Sequence, residues 1–378
     1  MEPATMGGRS ETPYDFHEEE VNDIIQVASY HCEQLRCTVI HFSAACHEPI
    51  LSSIATPFPR SSRDSRQFRS LERLPLELLH IVIPGMDMQS VFNFRQTSLR
   101  LRDAVDSLPQ YQLIVSYGLD LYCALLRTQH APNVTLFDFH SVLCTKKCAF
   151  CDNFGDFISL LIWQRCCFRC IQLAPQASVQ TLQSARTNYA SNTNEAHQLM
   201  SLKLLKRESY ATGQFFPHPR NSLVSTQHAQ SAWSARPRRR EREEVDRRNY
   251  QHCLSEMGAC ALPHYNTQKK ELERGLSCAG CELNAAGRLW AARRAWNPWI
   301  PGISWIPRDV DEVRWTIYSK IYTRARFLEH FRWCKQAQRM WNLSKGGEEL
   351  SFEKPDVALA DGILSSSTLI SIPGWWWR

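Results

Sequence analysis

The spacing of the cysteines constrains this chain more than any other feature. Fifteen cysteines occur in 378 residues, and six of them crowd into Cys144 to Cys170. Within that stretch Cys148-x-x-Cys151 is followed, after fifteen intervening residues, by Cys167-x-x-Cys170. A CxxC turn presents two sulfurs to one ion, and two such turns supply the four thiolates that zinc takes tetrahedrally at ~2.3 Å. The spacer offers Gly155 for a turn and Phe157, Leu160, Ile162 and Trp163 for a β-rich support. Cys144 and Cys166 are further thiols close by, Cys166 being the nearer substitute for Cys167. Other thiol chemistries fit less well. A redox CxxC wants a βαβ setting, which the flanking sequence lacks. A zinc deaminase wants His-x-Glu upstream of its cysteine pair, and none is present. A RING would need interleaved ligands between 151 and 166, and there are none.

A second set is split along the chain. Cys278-x-x-Cys281 has no neighbouring CxxC, but His330 and Cys334 follow after an interval of 48 residues. Four residues make about one helical turn, so both side chains can point from one helix at one metal, although read alone His330 fits a helix-surface histidine and Cys334 a core cysteine better. Ile317, Ile321, Leu328 and Phe331 give that helix a buried side. Cys253, Cys260 and His264 are rival ligands for the Cys278 knuckle. The two sets together imply about two structural zinc ions per chain. Clustered CxxC pairs in a chain of this length indicate a reducing compartment, cytosol or nucleus, rather than a disulfide scaffold.

Charge narrows the partners. Lys plus Arg number 44 and Asp plus Glu 38, giving +6. Arg236 to Arg248 holds seven arginines against four acids and so carries +3 of that +6. The remaining chain is nearly balanced, which disfavours a chain-wide nucleic-acid surface. Within the basic run, Glu243 with Arg247 and Glu244 with Arg248 are four apart, the spacing of a solvated helix, expected over Arg238 to Cys253. Mean hydropathy is -0.37 and no apolar run nears the ~20 residues of a membrane span, so neither a span nor a signal peptide is expected. Ten of the 12 tryptophans lie from Trp290 to Trp377; Trp290, Trp296, Trp299 and Trp305 read as core, with a substrate-facing aromatic surface as the alternative, and Trp375-Trp376-Trp377 has no obvious reason.

Residues 70–110 carry a compact helical pattern. Pro75 suits the first turn of a helix with Leu78, Leu79, Ile81 and Val82 on its apolar faces, stopped by Pro84-Gly85. Asp87 can cap a second helix with Val91, Phe92 and Phe94, and Thr97 or Ser98 a third with Leu101, Val105 and Leu108. Three short helices make too small a core to stand alone, so the module should dock on something else. Leu74-Pro75-x-Glu77-Leu78, Ile81, Val91-Phe92, Arg95, Ser98 and the close at Leu101 to Val105 resemble an F-box. That resemblance implies a trihelical module binding a Skp-family adaptor and, through it, a cullin–RING ubiquitin ligase. It also implies that Leu74, Pro75, Leu78, Ile81 and Val82 face the adaptor.

The stretch from 70 to 343 further resembles a group of fungal F-box proteins with cysteine pairs in this order. Cys278-Ala279-Gly280-Cys281-Glu282 and Phe327-Leu328-Glu329-His330-Phe331 with Cys334 match its late motifs. The expected fold is helix-rich α+β, a three-helix F-box followed by a zinc-stabilised irregular domain. The expected division is a flexible region 1–68, with an amphipathic helix at Val21 to Tyr30, then the F-box at 70–110 and a four-cysteine module at 111–172. An irregular connection, 173–235, with a helix near Glu195 to Lys206, leads to a helical region with the split site, 236–343, and a tail, 344–378. The expected function is a non-catalytic receptor bringing an unknown protein target to the ligase. The alternative is a zinc-dependent nucleic-acid-binding regulator using residues 236–248.

Overall fold

Two units divide the chain, and one of them joins its ends: Met1–Leu35 groups with Arg274–Arg378, while Arg36–Glu273 forms the other. The computed structural model describes residues 9–31, 36, 38–42, 54, 73–189, 199–205, 222–233, 252–284 and 320–348. The class is α+β and helix-rich, with short strands in four small sheets among the described residues.

Helix α1 (Val21–Ala28) falls where amphipathic spacing predicts one, burying Ile24, Val27 and Ala28. It stops two residues short of the expected end because Ser29 and Tyr30 form strand β1 instead.

The central unit begins, among its longer elements, with α2 (Leu76–Val82), α3 (Met88–Thr97) and α4 (Leu99–Asp106). Pro75 sits at the N-cap of α2. The Asp87 carboxylate accepts the Ser90 amide at 2.8 Å to start α3, and the Ser98 hydroxyl, rather than that of Thr97, accepts the Leu101 amide at 3.3 Å to start α4. Next come α5 (Pro109–Tyr117), α6 (Leu119–Arg127) and α7 (Leu136–Cys144), the last opened by a Thr135/Asp138 capping box. Strands β2 (Phe157–Ser159) and β3 (Gln164–Cys166) form a hairpin, and α8 (Phe168–Leu173) follows at once. Beyond it lie β4 (Val179–Thr181), α9 (Leu182–Tyr189), β5 (Leu202–Lys203), β6 (Ser222–Ser225) and α10 (Thr226–Trp233). The helix expected near Glu195 to Lys206 is not seen in its described part. There Leu202 pairs with Leu223 across a β4-β6-β5 sheet, and strand pairing buries it completely. Strand β7 (Ala259–Ala261) pairs antiparallel with β2, Phe157 opposite Ala261, and β8 (His264–Asn266) with β9 (Glu271–Glu273) closes the unit.

One apolar core runs through this unit. Leu79, Ile83, Val91, Leu101 and Val105 of the first helices share it with Tyr122, Phe139, Ile158, Leu160 and Cys260. The helical module is thus completed by the hairpin sheet and α5 to α7, as its small size requires. An ion pair with its guanidinium buried and its carboxylate 30% exposed sits at its edge. The fully buried Arg95 donates from Nε to Asp106 Oδ1 (2.6 Å) and from Nη2 to Oδ2 (3.0 Å), fastening α3 to α4.

In the other unit β10 (Ser277–Cys278) pairs with β1, Ser29 opposite Cys278. Helices α11 (Arg324–Phe331) and α12 (Lys335–Leu343) pack with α1. Apart from its last two residues, the charged helix expected over Arg238 to Cys253 lies outside the described residues. So do Cys32, Cys37, Cys46, Trp290 to Trp305 and Trp375 to Trp377.

A charge-assisted, bidentate pair with one partner buried contributes about 1.5–3 kcal/mol. Asp106→Ala should therefore cost about 2 kcal/mol, read as a lowered urea midpoint, because the Asp106 carboxylate is itself 30% exposed. Destabilisation under about 0.5 kcal/mol would show that the pair does not fasten α3 to α4.

Candidate metal centres and the docking helix

The first centre is built on a tight turn. Cys148 donates its amide to Asn153 O at 2.7 Å, Asp152 returns its amide to Cys148 O at 3.2 Å, and Asp152 takes φ 57°. The Phe150 amide donates to Cys148 Sγ at 3.4 Å and the Asn153 side-chain amide to Cys151 Sγ at 3.3 Å. Both sulfurs are thus already acceptors, the role of a thiolate ligand. Gly155 does not make the turn. Its missing Cβ lets Arg165 pass, since a Cβ there would lie 2.7 Å from Arg165 Cγ. The buried Arg165 guanidinium donates to the Leu262 and Pro263 carbonyls, pinning β3 to the chain beyond β7. That strand delivers Cys167 to the N-cap of α8, whose first turn carries Cys170.

Cys148, Cys151, Cys167 and Cys170 come together, each sulfur within 4.8 Å of the others. Cys151 and Cys167 stand 3.5 Å apart at sulfur. Tetrahedral zinc at ~2.3 Å from each sulfur demands ~3.8 Å between sulfurs, while a disulfide needs ~2.05 Å. The set fits a metal and holds no disulfide. Cys166 turns away, buried in β3 and donating to Gln164 O at 3.4 Å, and Cys144 lies 3.6 Å from His140 instead. Burial raises the Cys144 thiol and lowers His140, so that pair stays neutral at pH 7.

The second centre gathers Cys278, Cys281, His330 and Cys334, again within 4.8 Å of one another. Cys278 ends β10, and its sulfur accepts the Cys281 amide at 3.4 Å. Cys281 Sγ is 3.2 Å from His330 Nε2 and 3.8 Å from Cys334 Sγ, and Cys278 and Cys334 are 3.7 Å apart. His330 and Cys334 do not share one helix, contrary to the spacing argument. Helix α11 ends at Phe331, and Cys334 is the N-cap of α12, so a helix–turn–helix corner turns both ligands inward. Gly280 permits the approach, since a Cβ there would meet Ala337 Cα at 2.7 Å. Tyr322 is a partner that the sequence did not point to. Its ring stacks on His330 at 4.8 Å and its hydroxyl lies 3.5 Å from Nδ1, orienting the imidazole as a second-shell group does. The rivals lie elsewhere: Cys260 is fully buried in β7, and His264 pairs with Glu273.

Electrostatics in both groups favours a cation. Beside Cys167, Cys148 is held down to about 4, and Cys167 itself is pushed up by that same contact. Burial, with the neighbouring sulfurs, pushes Cys170 up to about 12. In the second group the contacts from Cys278 and Cys281 lower Cys334, while Cys278 is raised by the same contacts. Cys281 rises to about 12: a contact with Cys278 that lowers it is outweighed by Cys334 and by burial. Cys148 and Cys334 are thus favoured as thiolates at the expense of the sulfurs beside them. A divalent ion would bind by displacing the remaining protons.

The other candidate surface is α2. It buries Leu79 and, just beyond its end, Ile83, but Leu78, Ile81 and Val82 are 46%, 74% and 56% exposed. Pro75 is exposed and Leu74 half-buried. The helix is therefore apolar on both sides, with only one side against the core.

Residues 71–113 match the F-box domain, which points in general to an adaptor role in ubiquitin ligation. No curated protein and no solved structure matches the chain. No described helix is long and apolar enough to cross a membrane.

Two outcomes check the centres. Gly280→Ala should lose one metal ion per chain while the Cys148 group keeps its own, as measured by elemental analysis. Metal affinity should also fall with pH, because ligation must displace two or more protons per site. Between pH 7 and pH 6 that amounts to about 100-fold per site, read in a buffered chelator series. A pH-independent affinity would exclude thiolate ligation.

Proposed function

We propose that this chain is a non-catalytic substrate receptor. On this reading the F-box segment binds a Skp-family adaptor of a cullin–RING ubiquitin ligase, and another part of the chain holds a protein target. The observation that carries it is the exposed apolar face of α2, at Leu78, Ile81 and Val82, inside the segment that matches the F-box domain. An apolar helix face left bare by its own core suits a desolvated protein contact. Leu74 and Pro75 flank that face at the start of α2. Tethering would raise the target's local concentration near the ligase to the millimolar range of ~10⁻³ M, so proximity replaces chemistry.

Zinc has a structural role in this account. Cys148, Cys151, Cys167 and Cys170 would hold one ion, and Cys278, Cys281, His330 and Cys334 a second. Four-cysteine and three-cysteine-one-histidine sets fill a tetrahedral ion completely, leaving no open position for a substrate or a reactive water. Free thiols in such numbers belong in a reducing compartment, cytosol or nucleus. The nucleic-acid alternative depends on residues 236–248, outside the described residues, and gains no support.

The Leu78→Asp/Ile81→Asp double variant places two charges in the proposed contact at several kcal/mol each (~2–7). Both side chains are exposed in the free chain, so metal content and the melting profile should be unchanged. Co-purification with the adaptor should vanish. Undiminished capture would remove the receptor reading.

A further inference from the structure

Residues 9–16, within the region expected to be flexible, are laid along the corner that carries Cys334. Arg9 forms an antiparallel bridge with Cys334, the Ser10 amide donates to Trp333 O at 3.1 Å, and the Tyr14 amide to Arg332 O at 2.9 Å. The Ser10 hydroxyl donates to Gln338 Oε1 at 2.6 Å. Tyr14 and Phe16, two residues apart, both meet the ring of Phe331 edge-on, at 5.6 and 5.9 Å. The Arg9 guanidinium lies over Trp333 at 4.3 Å, and that of Arg332 over Phe16 at 5.1 Å.

These are the contacts of a seated peptide, with main-chain hydrogen bonds at two points for attachment, a bend at 11–12 between them, and spaced side chains for selection. Between its anchors Glu11, Thr12, Pro13 and Asp15 remain exposed, so the segment lies on the unit rather than inside it. Charge is complementary. Glu11, Asp15 and Glu18 to Glu20 follow Arg9, whereas α11, α12 and their corner carry Arg324, Arg326, Arg332, Lys335 and Arg339 against the single acid Glu329. Lifting the segment would bare a basic surface centred on Phe331, Arg332 and Trp333.

We propose that this corner is a docking face for an acidic segment bearing two aromatic residues at i and i+2, and that residues 9–16 occupy it in cis as a pseudo-ligand. Naming the trans ligand a ubiquitination target rests on the receptor reading; recognition of an acidic aromatic segment by the face does not. A tethered occupant competes at ~1 mM effective concentration, so a trans ligand gains the face chiefly when the cis segment is displaced.

The test uses the full chain and a fluorescein-labelled peptide of residues 9–17, followed by anisotropy. The Tyr14→Ala/Phe16→Ala variant should bind this peptide at least 10-fold more tightly than the unaltered chain does. Adding Arg332→Glu to that variant should abolish the gain, and a peptide with both aromatics replaced by alanine should not bind. Metal content verifies that the variant is folded; should the double variant lose metal, Phe16→Ala alone takes its place in the same titration. Equal binding by the opened and unaltered chains, or equal binding by the alanine peptide, would overturn the proposal. Adaptor capture, measured on the same samples, fails only if the receptor reading fails.

Discussion

Four soft ligands brought within 4.8 Å of one another are the constraint on which each unit turns. Sulfurs at 3.5 to 3.8 Å cannot all carry charge unless something positive lies between them. The chain nevertheless spends much of its local structure on assembling them. In the central unit a strained turn, a glycine that yields to Arg165, and a helix N-cap converge on one point. In the other unit a two-stranded ribbon, a helix corner and a glycine against Ala337 do the same. Backbone amides already donate to Cys148 and Cys278 in both groups. Such preparation is what a metal-stapled fold needs, and the proposed zinc ions would couple segments distant in sequence.

The helical module shows a division of labour. Its inward side is continuous with the core of the sheet hairpin, and the Arg95–Asp106 pair holds α3 to α4. Its outward side keeps Leu78, Ile81 and Val82 in contact with water. A core continuous with the hairpin sheet would hold α2 in a fixed attitude, so the cost of ordering a contact surface is met on folding rather than on binding. The metal centre tied to the same hairpin would reinforce that rigidity.

Much of this was legible in the sequence because the relevant signals are local. CxxC turns, the N-caps at Asp87 and Ser98, and the apolar spacing of α1 and α2 each depend on a few neighbouring residues. The long-range pairing of Cys278 with His330 and Cys334 was a competent ligand set by spacing, but it was the family resemblance that set it above Cys253, Cys260 and His264. Non-local facts were not legible. Nothing in the spacing of His330 and Cys334 distinguishes one helix turn from a corner between two helices. Gly155 looked like a turn residue, but its role is to admit Arg165, whose partners lie nearly 100 positions away. Arg95 and Arg165 would be placed on a surface by composition, yet both are buried, Arg95 on the Asp106 carboxylate and Arg165 through its Nη groups on the Leu262 and Pro263 carbonyls. The attachment of residues 9–16 to α11 and α12 depends on Phe331 and Trp333, more than 300 positions away.

The account stands or falls on the two ligand sets, and zinc K-edge X-ray absorption of the purified full chain tests them directly. Two ions sharing seven sulfurs and one nitrogen should give a sulfur-dominated first shell near ~2.3 Å with a weak imidazole contribution. A first shell dominated by oxygen or nitrogen near ~2.0 Å, or no bound zinc at all, would contradict it.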